Sequence, residues 1–333
     1  MKMKKMISLV LAMLLIFSLA ACGVQKKEEK VVDEGKAVET EKNQGEEKSV
    51  LNKIVVFNSS LCTVLEAFDK SNTIVGAYGS LSEQYNVPEC GNWNEVDVEA
   101  VISTGAEAVF GYEKYTTPEQ VEMLKDAGIN CYFIELSDAE KVAEEVTQLG
   151  ELFGCKEKAA SFVKLYNKYD TLLEEKLALV ENKLNAYIEG TAKEPYKTAN
   201  KTTAAHKLLE GAGLVNIYAD NETAYPERNV ESIISADPAV IVKLMGASDT
   251  LSGELYAEYV NGLSGVKAAD ERKVIMLNNE VGTTAIGSII GRLYVAKFAY
   301  PEAFADVDVD AIYETLCTEF LGKEFTGSGA YFE

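Results

Sequence analysis

A single histidine, His206, limits the metal and nucleophile chemistry that this sequence supports. Sites for bare zinc or manganese usually need several imidazoles, and a Ser-His-Asp triad would have to use this one residue. His206 lies in the segment AAHKLL, which is typical of a helix and carries no nucleophile motif. We expect a structural or surface role for it, with axial ligation of haem as the alternative. The sequence therefore predicts no metal site, no cofactor and no catalytic residue, and the chain is not expected to be an enzyme.

Aromatic, serine and arginine side chains in turns after predicted strands instead favour the binding of a small ligand. Trp93, the only tryptophan, lies in the segment CGNWN, where a flat ring suits stacking on a porphyrin, corrin or catechol. Arginine is rare, and a planar cation is what an anionic chelate or a propionate needs. Two alternatives stay open, since a serine can simply cap the following helix and Trp93 can pack beneath its loop. The predicted ligand-binding residues are Ser59, Ser60, Tyr78, Trp93, Tyr112, Tyr225, Arg228 and Arg292.

The strands and helices that position these side chains are predicted from alternating patterns along the sequence. Short valine-rich runs alternate with helical patterns in both halves of the folded part. Between the halves, apolar residues recur every three or four positions from Lys156 to Leu184, which predicts one helix of roughly 40 Å. Because ligands bind beyond the carboxyl ends of parallel strands, we expect the candidate residues there. The predicted strands are 53–57, 73–77, 107–112, 130–135, 185–189, 239–244 and 273–277, and the predicted helices include 117–127, 138–152, 204–212 and the C-terminal part, 287–320.

An internal repeat indicates two similar lobes. The segment DVEAVIS, which begins at Asp97, matches NVESIIS, which begins at Asn229, and an apolar run follows each. We predict that Asp97 and Asn229 each cap a helix whose valine and isoleucine residues face inward. The pattern predicts an α/β fold in which one long helix bridges two lobes and leaves a ligand cleft between them.

The N-terminus carries the features of an export signal. Lysines precede an apolar stretch from Met6 to Phe17, which is too short to span a membrane, and small residues precede Cys22. The sequence Leu-Ala-Ala-Cys resembles the lipobox of bacterial lipoproteins, in which lipid is attached to the cysteine sulfur. The alternative is an ordinary signal peptide with an incidental cysteine. The polar segment from Gly23 to Ser49 contains no aromatic residue and is predicted to be a disordered tether.

The charge balance and the cysteine spacing exclude further kinds of partner and site. With 53 acidic and 32 basic residues, the net charge is −21, and no basic stripe is present to neutralise phosphates. Nucleic acid is therefore not a predicted partner. The cysteines other than Cys22 lack CxxC spacing, so neither a disulfide framework nor a zinc site is predicted. Cys62 and Cys90 both fall in predicted cleft loops, where buried free thiols are expected and a bridge is the alternative.

The ordered set of segments resembles the substrate-binding proteins of ABC importers for iron complexes and cobalamin. Besides the repeat, the matching segments are LLEGAGLVN, which begins at Leu208, and YPEAF, which begins at Tyr300. The resemblance extends from Val50 to the C-terminus and implies two Rossmann-like lobes with little hinge motion. Two segments depart from the family pattern. Ala106-Glu107 stands where Pro-Asp is common, and NKTT at 200–203 replaces a Gly-Ser near the ligand.

The resemblance also implies partners and a function. Glu99 and Glu231, one in each repeat, are then the residues that dock on arginines of an ABC permease, whose ATPase subunit supplies energy. From the sequence alone they are equally ordinary exposed carboxylates near helix N-termini. The implied protein is lipid-anchored through Cys22 at the outer face of the cytoplasmic membrane, where it captures a metal chelate. A ferric siderophore-like iron complex is the first ligand predicted, with a corrinoid or haem as the alternative.

Two other function classes remain as alternatives, a sensory ligand-binding lipoprotein and an extracellular enzyme on the same lobes. Whichever holds, the chain divides into five predicted segments. They are the signal peptide (1–21), the lipidated cysteine and tether (22–50), the N-terminal lobe (51–155), the bridging helix (156–184) and the C-terminal lobe (185–333).

Overall fold

A computed structural model of the protein describes residues 50–136, 138, 140–190, 195–246, 249–282, 284 and 286–333. The predicted signal peptide, Cys22 and all of the tether except Val50 lie outside the described residues. Within the described ranges, none of the helices has the length and apolar character needed to cross a membrane.

Four parallel strands form the sheet of the N-terminal lobe, in the order β2-β1-β5-β6. The residues of β1 and β5 are buried throughout, which is expected for parallel strands covered by helices on both faces. The elements of this lobe are β1 (Ile54–Val56), α1 (Ser59–Ala67), β2 (Ile74–Ala77), α2 (Gly79–Tyr85), β3 (Gly91–Asn92), β4 (Glu95–Val96), α3 (Val98–Ser103), β5 (Ala108–Phe110), α4 (Pro118–Asp126), β6 (Asn130–Tyr132) and α5 (Val142–Leu152).

The predicted bridging helix is present as α6 (Lys156–Leu177). The prediction that it reaches Leu184 was wrong. The amide of Val180 bonds the carbonyl of Leu177 in a turn, and the amide of Leu184 donates to the hydroxyl of Tyr300. The apolar residues after Leu177 therefore belong to a turn that leads into β7, and not to the helix. The residues that α6 buries are Ala159, Phe162, Tyr166, Tyr169 and Leu173.

Five strands form the sheet of the C-terminal lobe, in the order β11-β10-β9-β7-β8. All neighbours are parallel except β11, which runs antiparallel to β10. The elements of this lobe are β7 (Asn185–Glu189), α7 (Ala204–Gly211), β8 (Val215–Asn216), α8 (Val230–Ala236), β9 (Val240–Leu244), α9 (Gly253–Gly262), α10 (Lys267–Asp270), β10 (Val274–Leu277), α11 (Asn279–Gly282), α12 (Ser288–Ala299), α13 (Val309–Leu316) and β11 (Ala330–Tyr331).

The C-terminal part is not one continuous helical run. It breaks after α12, where Pro301 cannot continue the helix, and a π-helical turn at Cys317–Leu321 follows α13. In this turn the ring of Phe320 lies 4.5 Å from Phe162 of α6 and 6.3 Å from Phe68 of the N-terminal lobe, between ring centroids. The C-terminal segment therefore packs against both the bridging helix and the first lobe.

The internal repeat folds as the sequence predicts. The Asp97 side chain accepts a hydrogen bond from the amide three residues later at 3.0 Å, and Asn229 does the same at 2.9 Å. The helix that each residue caps, α3 or α8, leads into a central strand of its sheet. The two caps give the duplicated helices the same starting geometry.

One detail of the repeat differs from the prediction. Val101 and Ile233, at equivalent positions, are fully buried. The isoleucines that follow them, Ile102 and Ile234, are 41% and 43% exposed, so the prediction that they face inward was wrong. Each helix buries one narrow stripe against its sheet, and consecutive helical positions point about 100° apart.

Candidate ligand-binding site

The candidate site lies at the carboxyl edge of the N-terminal sheet. Because β1, β2 and β5 run parallel, the turns that follow them meet at one edge. Ser59 follows β1, Tyr78 follows β2, and Tyr112 follows β5. The structure thus brings together three of the residues predicted to bind ligand.

What we call the aromatic set consists of Tyr78, Tyr112 and Tyr115, from the turns after β2 and β5, and Trp93, from the hairpin between β3 and β4. The Trp93 and Tyr115 rings meet edge to face, with centroids 5.0 Å apart, and the Tyr112 and Tyr115 rings do so at 6.0 Å. Tyr78 and Tyr112 interact electrostatically through their phenols. The set brings apolar ring surface and several hydroxyl groups together at this edge of the sheet.

The phenols of Tyr78 and Tyr112 are proton donors at neutral pH. Burial, together with the neighbouring Tyr78, Glu135 and Tyr115, raises the pKa of Tyr112 to about 12. Burial and the nearby Cys62 thiol raise the pKa of Tyr78, and a side-chain interaction with Ser59 opposes this. These hydroxyls therefore offer hydrogen bonds to a ligand oxygen without carrying charge.

Trp93 lies at the turn of the hairpin formed by β3 and β4. Its side chain is 49% exposed, so it does not pack beneath the loop, which was the alternative. Gly91 permits this turn, since its φ is +113° and an added Cβ would lie 2.3 Å from the Glu95 carbonyl oxygen. The tryptophan therefore stands on a constrained hairpin with one part of its ring accessible.

Asn58, which the sequence analysis did not single out as a functional residue, organises the turn after β1. Its side-chain oxygen accepts from the amide of Ser60 at 2.9 Å, so Asn58 and not a serine caps α1. Its amide nitrogen donates to the carbonyls of Ile134 and Glu135, at 3.1 and 2.8 Å. Asn58 is fully buried and ties the loop after β6 to the start of α1. The sequence feature that could have identified Asn58 is its position as a polar residue directly after a buried apolar run.

Tyr225 brings the C-terminal lobe to the aromatic set. Its segment is held by backbone hydrogen bonds from Thr198 to Pro226 and from Arg228 to Tyr196. The side chain is 57% exposed.

Two groups of the N-terminal lobe interact electrostatically with Tyr225. Partial burial raises this pKa, the Tyr115 phenol raises it further, and the Lys114 ammonium opposes the increase. Tyr115 and Lys114 belong to the N-terminal lobe, where the Lys114 Nζ lies 5.3 Å from the Tyr115 ring centroid. Tyr225 is therefore a side chain of the C-terminal lobe that interacts with groups at the aromatic set.

The two predicted ligand arginines are engaged elsewhere. Arg228 stacks on Tyr218, with its guanidinium carbon 4.5 Å from the ring centroid, and hydrogen-bonds to Asn221. Arg292 is 7% exposed and donates to Asp170 at 2.9 Å and to Tyr166 at 2.7 Å, both on the bridging helix. The structure therefore places Arg228 within its own lobe and Arg292 against α6, where Arg292 lines a groove along that helix, and their contact with ligand stays a prediction.

His206 has the structural surroundings that the sequence analysis favoured. Its side chain is 14% exposed, with Nδ1 3.3 Å from the Asn216 amide nitrogen and Nε2 3.7 Å from a Glu210 carboxylate oxygen. Asn216 in turn donates to the Ala199 carbonyl at 2.8 Å. These contacts attach α7 to β8.

The cysteines and acidic groups form no metal site within the described part of the chain. There, no cluster of three or more His, Cys, Asp or Glu side chains could hold an ion. Cys62 and Cys90 are buried and free, so the alternative of a bridge between them was wrong. Burial raises the pKa of Cys62 to about 12 and that of Cys90 to about 11, which keeps both thiols protonated.

Comparisons with known proteins agree with this architecture. The profile of the periplasmic binding protein family matches residues 54–281. The vitamin B12-binding protein of Salmonella choleraesuis is 24% identical over 183 residues, which cover 52% of this chain but only 65% of that protein. The molybdate-binding protein MolA of Haemophilus influenzae is 20% identical over 318 residues, covering 84% and 89% of the two chains. The crystal structure of the TroA-like periplasmic binding protein FepB from Veillonella parvula superposes with a TM-score of 0.71 at 19% identity, covering 86% and 95%.

Proposed function

We propose, from the fact that this chain belongs to the periplasmic binding protein family, that it is the substrate-binding component of an ABC importer. In this role it captures a metal chelate outside the cell and binds it without transforming it. The observation that carries the proposal is the two-lobed fold, over most of which the family profile matches, at residues 54–281. Tyr225 of the C-terminal lobe interacts electrostatically with Tyr115 and Lys114 of the N-terminal lobe, which supports a ligand position between the lobes.

The side chains at the site favour an iron complex of low net charge. The aromatic set supplies flat apolar faces and neutral hydroxyl donors. Lys114 is the cation that acts on Tyr225, whereas Arg228 and Arg292 have partners in their own surroundings. A triply anionic chelate would be costly to bury with so little compensation. We therefore place a ferric siderophore-like complex of low charge first.

A corrinoid or haem is the second candidate ligand. Both present a large flat ring, which suits the edge-to-face pair of Trp93 and Tyr115. The likeness to the vitamin B12-binding protein favours the corrinoid over the haem.

The N-terminus suggests where the proposed carrier is located, and the internal repeat suggests how it binds its permease. Cys22 is proposed to carry lipid that holds the chain at the outer face of the cytoplasmic membrane, with residues 22–50 as the tether. Glu99 and Glu231, both exposed in the first turns of α3 and α8, are proposed to dock on the permease. Tethering raises the effective concentration of the carrier near its permease, whose ATPase subunit supplies the energy.

The fluorescence of Trp93 tests the binding role, because this is the only tryptophan and it lies in the proposed site. The full chain is titrated with ferric complexes of a hydroxamate and a catecholate siderophore, with cyanocobalamin, cobinamide and haem. We expect saturable quenching by one class, and the bound compound should be recovered unchanged. The Trp93→Phe variant, followed by equilibrium dialysis, controls for signals that do not come from the site. If no compound binds in either assay, the metal-chelate role is wrong.

A further inference from the structure

A lysine and a glutamate form an ion pair inside the C-terminal lobe. Lys243 of β9 and Glu189 of β7 are register partners near the carboxyl ends of neighbouring strands, and Nζ of Lys243 lies 2.9 Å from a carboxylate oxygen of Glu189. We propose that this ion pair positions the segment that carries Tyr225, so that Lys243 and Glu189 are positioning residues of the ligand site. The inference rests on the proposed function, because it gives the pair a role in binding the chelate.

Both members of the pair are removed from water. The Glu189 side chain is 4% exposed and that of Lys243 is 13% exposed. The second carboxylate oxygen of Glu189 accepts hydrogen bonds from the hydroxyls of Tyr187 and Tyr259, each at 3.2 Å. The buried carboxylate is thus compensated at both of its oxygens, which is what makes its burial tolerable.

Packing alone does not require charge at these positions. Ile241 and Met245 flank Lys243 on the same face of the sheet and are buried among apolar side chains. Replacing a buried ion pair by apolar residues of similar volume is often neutral or stabilising. An ion pair supplies what apolar residues cannot, a directed hydrogen bond to a particular backbone group.

That backbone group lies where β7 ends. Nζ of Lys243 donates to the carbonyl of Gly190 at 2.8 Å, and the amide of Gly190 donates to the carbonyl of Lys197 at 3.0 Å. The hydroxyl of Thr198 donates to the carbonyl of Ile188 at 2.6 Å. The segment that contains Lys197 and Thr198 is therefore attached to the end of β7 at two points, and Lys243 holds one of them.

This segment pairs in turn with the one that carries Tyr225. We call residues 196–200 and 224–228 the paired segments, because three antiparallel backbone hydrogen bonds of 2.9–3.1 Å join them. These bonds run from the amide of Thr198 to the carbonyl of Pro226, from Asn200 to Ala224 and from Arg228 to Tyr196. Tyr225 lies between two of the bonded positions, so its backbone is fixed relative to β7. The ion pair thus acts on Tyr225 through Gly190 and the paired segments.

Hydrogen exchange of the full chain tests the first step of this inference. The double variant Glu189→Gln/Lys243→Met removes both charges and retains an acceptor for the two tyrosines, so its unfolding temperature should stay close to that of the original chain. The amides of Thr198, Asn200 and Arg228 should nevertheless exchange about tenfold faster, which corresponds to the loss of one hydrogen bond. The amide of Phe57, which bonds Phe110 in the N-terminal lobe, should exchange as before. The single variant Lys243→Met leaves Glu189 without its cation and should be less stable, which is why the double variant is used.

Ligand affinity tests the second step, with a compound that quenches the fluorescence of Trp93. We expect the double variant to raise Kd about tenfold at retained stability, as the loss of the Tyr225 contact would. In the Tyr225→Ala background the same double change should raise Kd by less than about twofold, because the side chain that the pair positions is already absent. An ion pair that only stabilises the lobe would leave Kd unchanged once stability is retained.

The matched control is Lys176→Met. The Lys176 side chain is 18% exposed and pairs with Asp306, so a lysine of similar burial is removed at the end of α6. This variant should change neither Kd nor the exchange of the paired segments.

The outcomes separate this inference from the proposed function. If the original chain binds a chelate and the double variant binds it equally well, or exchanges no faster in the paired segments, the ion pair does not position Tyr225 and the importer role stands. A rise in Kd that is as large in the Tyr225→Ala background as in the original chain also overturns the inference, because the pair then acts through other residues. If no compound binds the original chain, the proposed function is wrong and the inference falls with it.

Discussion

The carboxylate of Asp138 accepts a hydrogen bond from Nζ of Lys207, so that an ion pair connects the N-terminal lobe to α7 of the C-terminal lobe. Both residues line a groove of about 570 Å³ along the bridging helix, together with Asp170 and Glu174. Burial alone would raise the pKa of Asp138, but the hydrogen bonds from Lys207 and from the amide of Glu140 outweigh it and lower the pKa. The two lobes are thus joined by charge as well as by α6.

Replacing Lys207 by Gln should weaken this connection. Lys207 is 41% exposed, so we expect a loss of only about 0.5–1 kcal/mol of unfolding free energy at neutral pH. Because the pKa of Asp138 is depressed in the folded state, its contribution is present above the ordinary value of 3.8 and is lost as the pH falls through the folded value. Thermal unfolding at neutral pH and in strong acid measures the effect.

The control for Lys207→Gln is Lys201→Gln, whose partner Asp220 belongs to the same lobe and is 91% exposed. It should have almost no effect at either pH. A difference between Lys207→Gln and the original chain that persists unchanged in strong acid would contradict the role of the Asp138 carboxylate.

Replacing Tyr225 by Ala should weaken ligand binding without affecting folding. The side chain is 57% exposed, so little packing is lost, whereas the removal of one aromatic contact is expected to raise Kd about tenfold. Isothermal titration with the compound that quenches Trp93 measures this change. Phe332→Ala, which removes an aromatic residue of 48% exposure that packs on Phe298, is the matched control and should leave Kd unchanged. Equal affinities of Tyr225→Ala and the original chain would remove Tyr225 from the site.

Replacing Asn58 by Ala should destabilise the N-terminal lobe by about 2–4 kcal/mol. The change removes the cap of α1 and leaves the carbonyls of Ile134 and Glu135 without their donor. Asn58→Asp retains the acceptor but not the donor, and we expect it to be similarly destabilising. Thr117→Ala, which removes only the cap of α4, should cost about 1 kcal/mol. Denaturant unfolding gives these values, and an Asn58→Asp variant as stable as the original would show that the two carbonyl contacts are unimportant.

Replacing Arg292 by Met should separate its structural role from the ligand role that the sequence suggested. Since the change removes a hydrogen-bonded ion pair in which Arg292 is buried and Asp170 is 35% exposed, we expect a loss of about 1–2 kcal/mol of unfolding free energy and an unchanged Kd. The control Arg272→Met removes an arginine that is 45% exposed and paired with Glu333, and should cost less than about 1 kcal/mol. A weakened Kd with intact stability would restore Arg292 to the ligand site.

The sequence was sufficient for features that depend on local patterns. Strands such as Asn185–Glu189 and the start of α6 at Lys156 follow directly from apolar periodicity. The caps at Asp97 and Asn229 follow from the residue types that accept hydrogen bonds at helix N-termini. These interactions form between residues close in the chain, so their signal is present in short segments. The end of α6 was predicted too late, at Leu184, because the apolar residues of the turn after Leu177 continue the helical spacing of three and four.

The two-lobed α/β architecture and the positions of Tyr78, Trp93 and Tyr112 after the strands were therefore determined by the sequence itself, through periodicity and the internal repeat. Only the tertiary structure decided that Tyr225 interacts electrostatically with Tyr115 and that Arg292 pairs with Asp170. These relationships join residues from different elements, and burial and charge pairing between them depend on how the elements pack. The sequence around an arginine is the same whether the side chain binds a ligand or a neighbouring helix. For Arg292, the packing of α12 against α6 determines that it binds Asp170 and Tyr166.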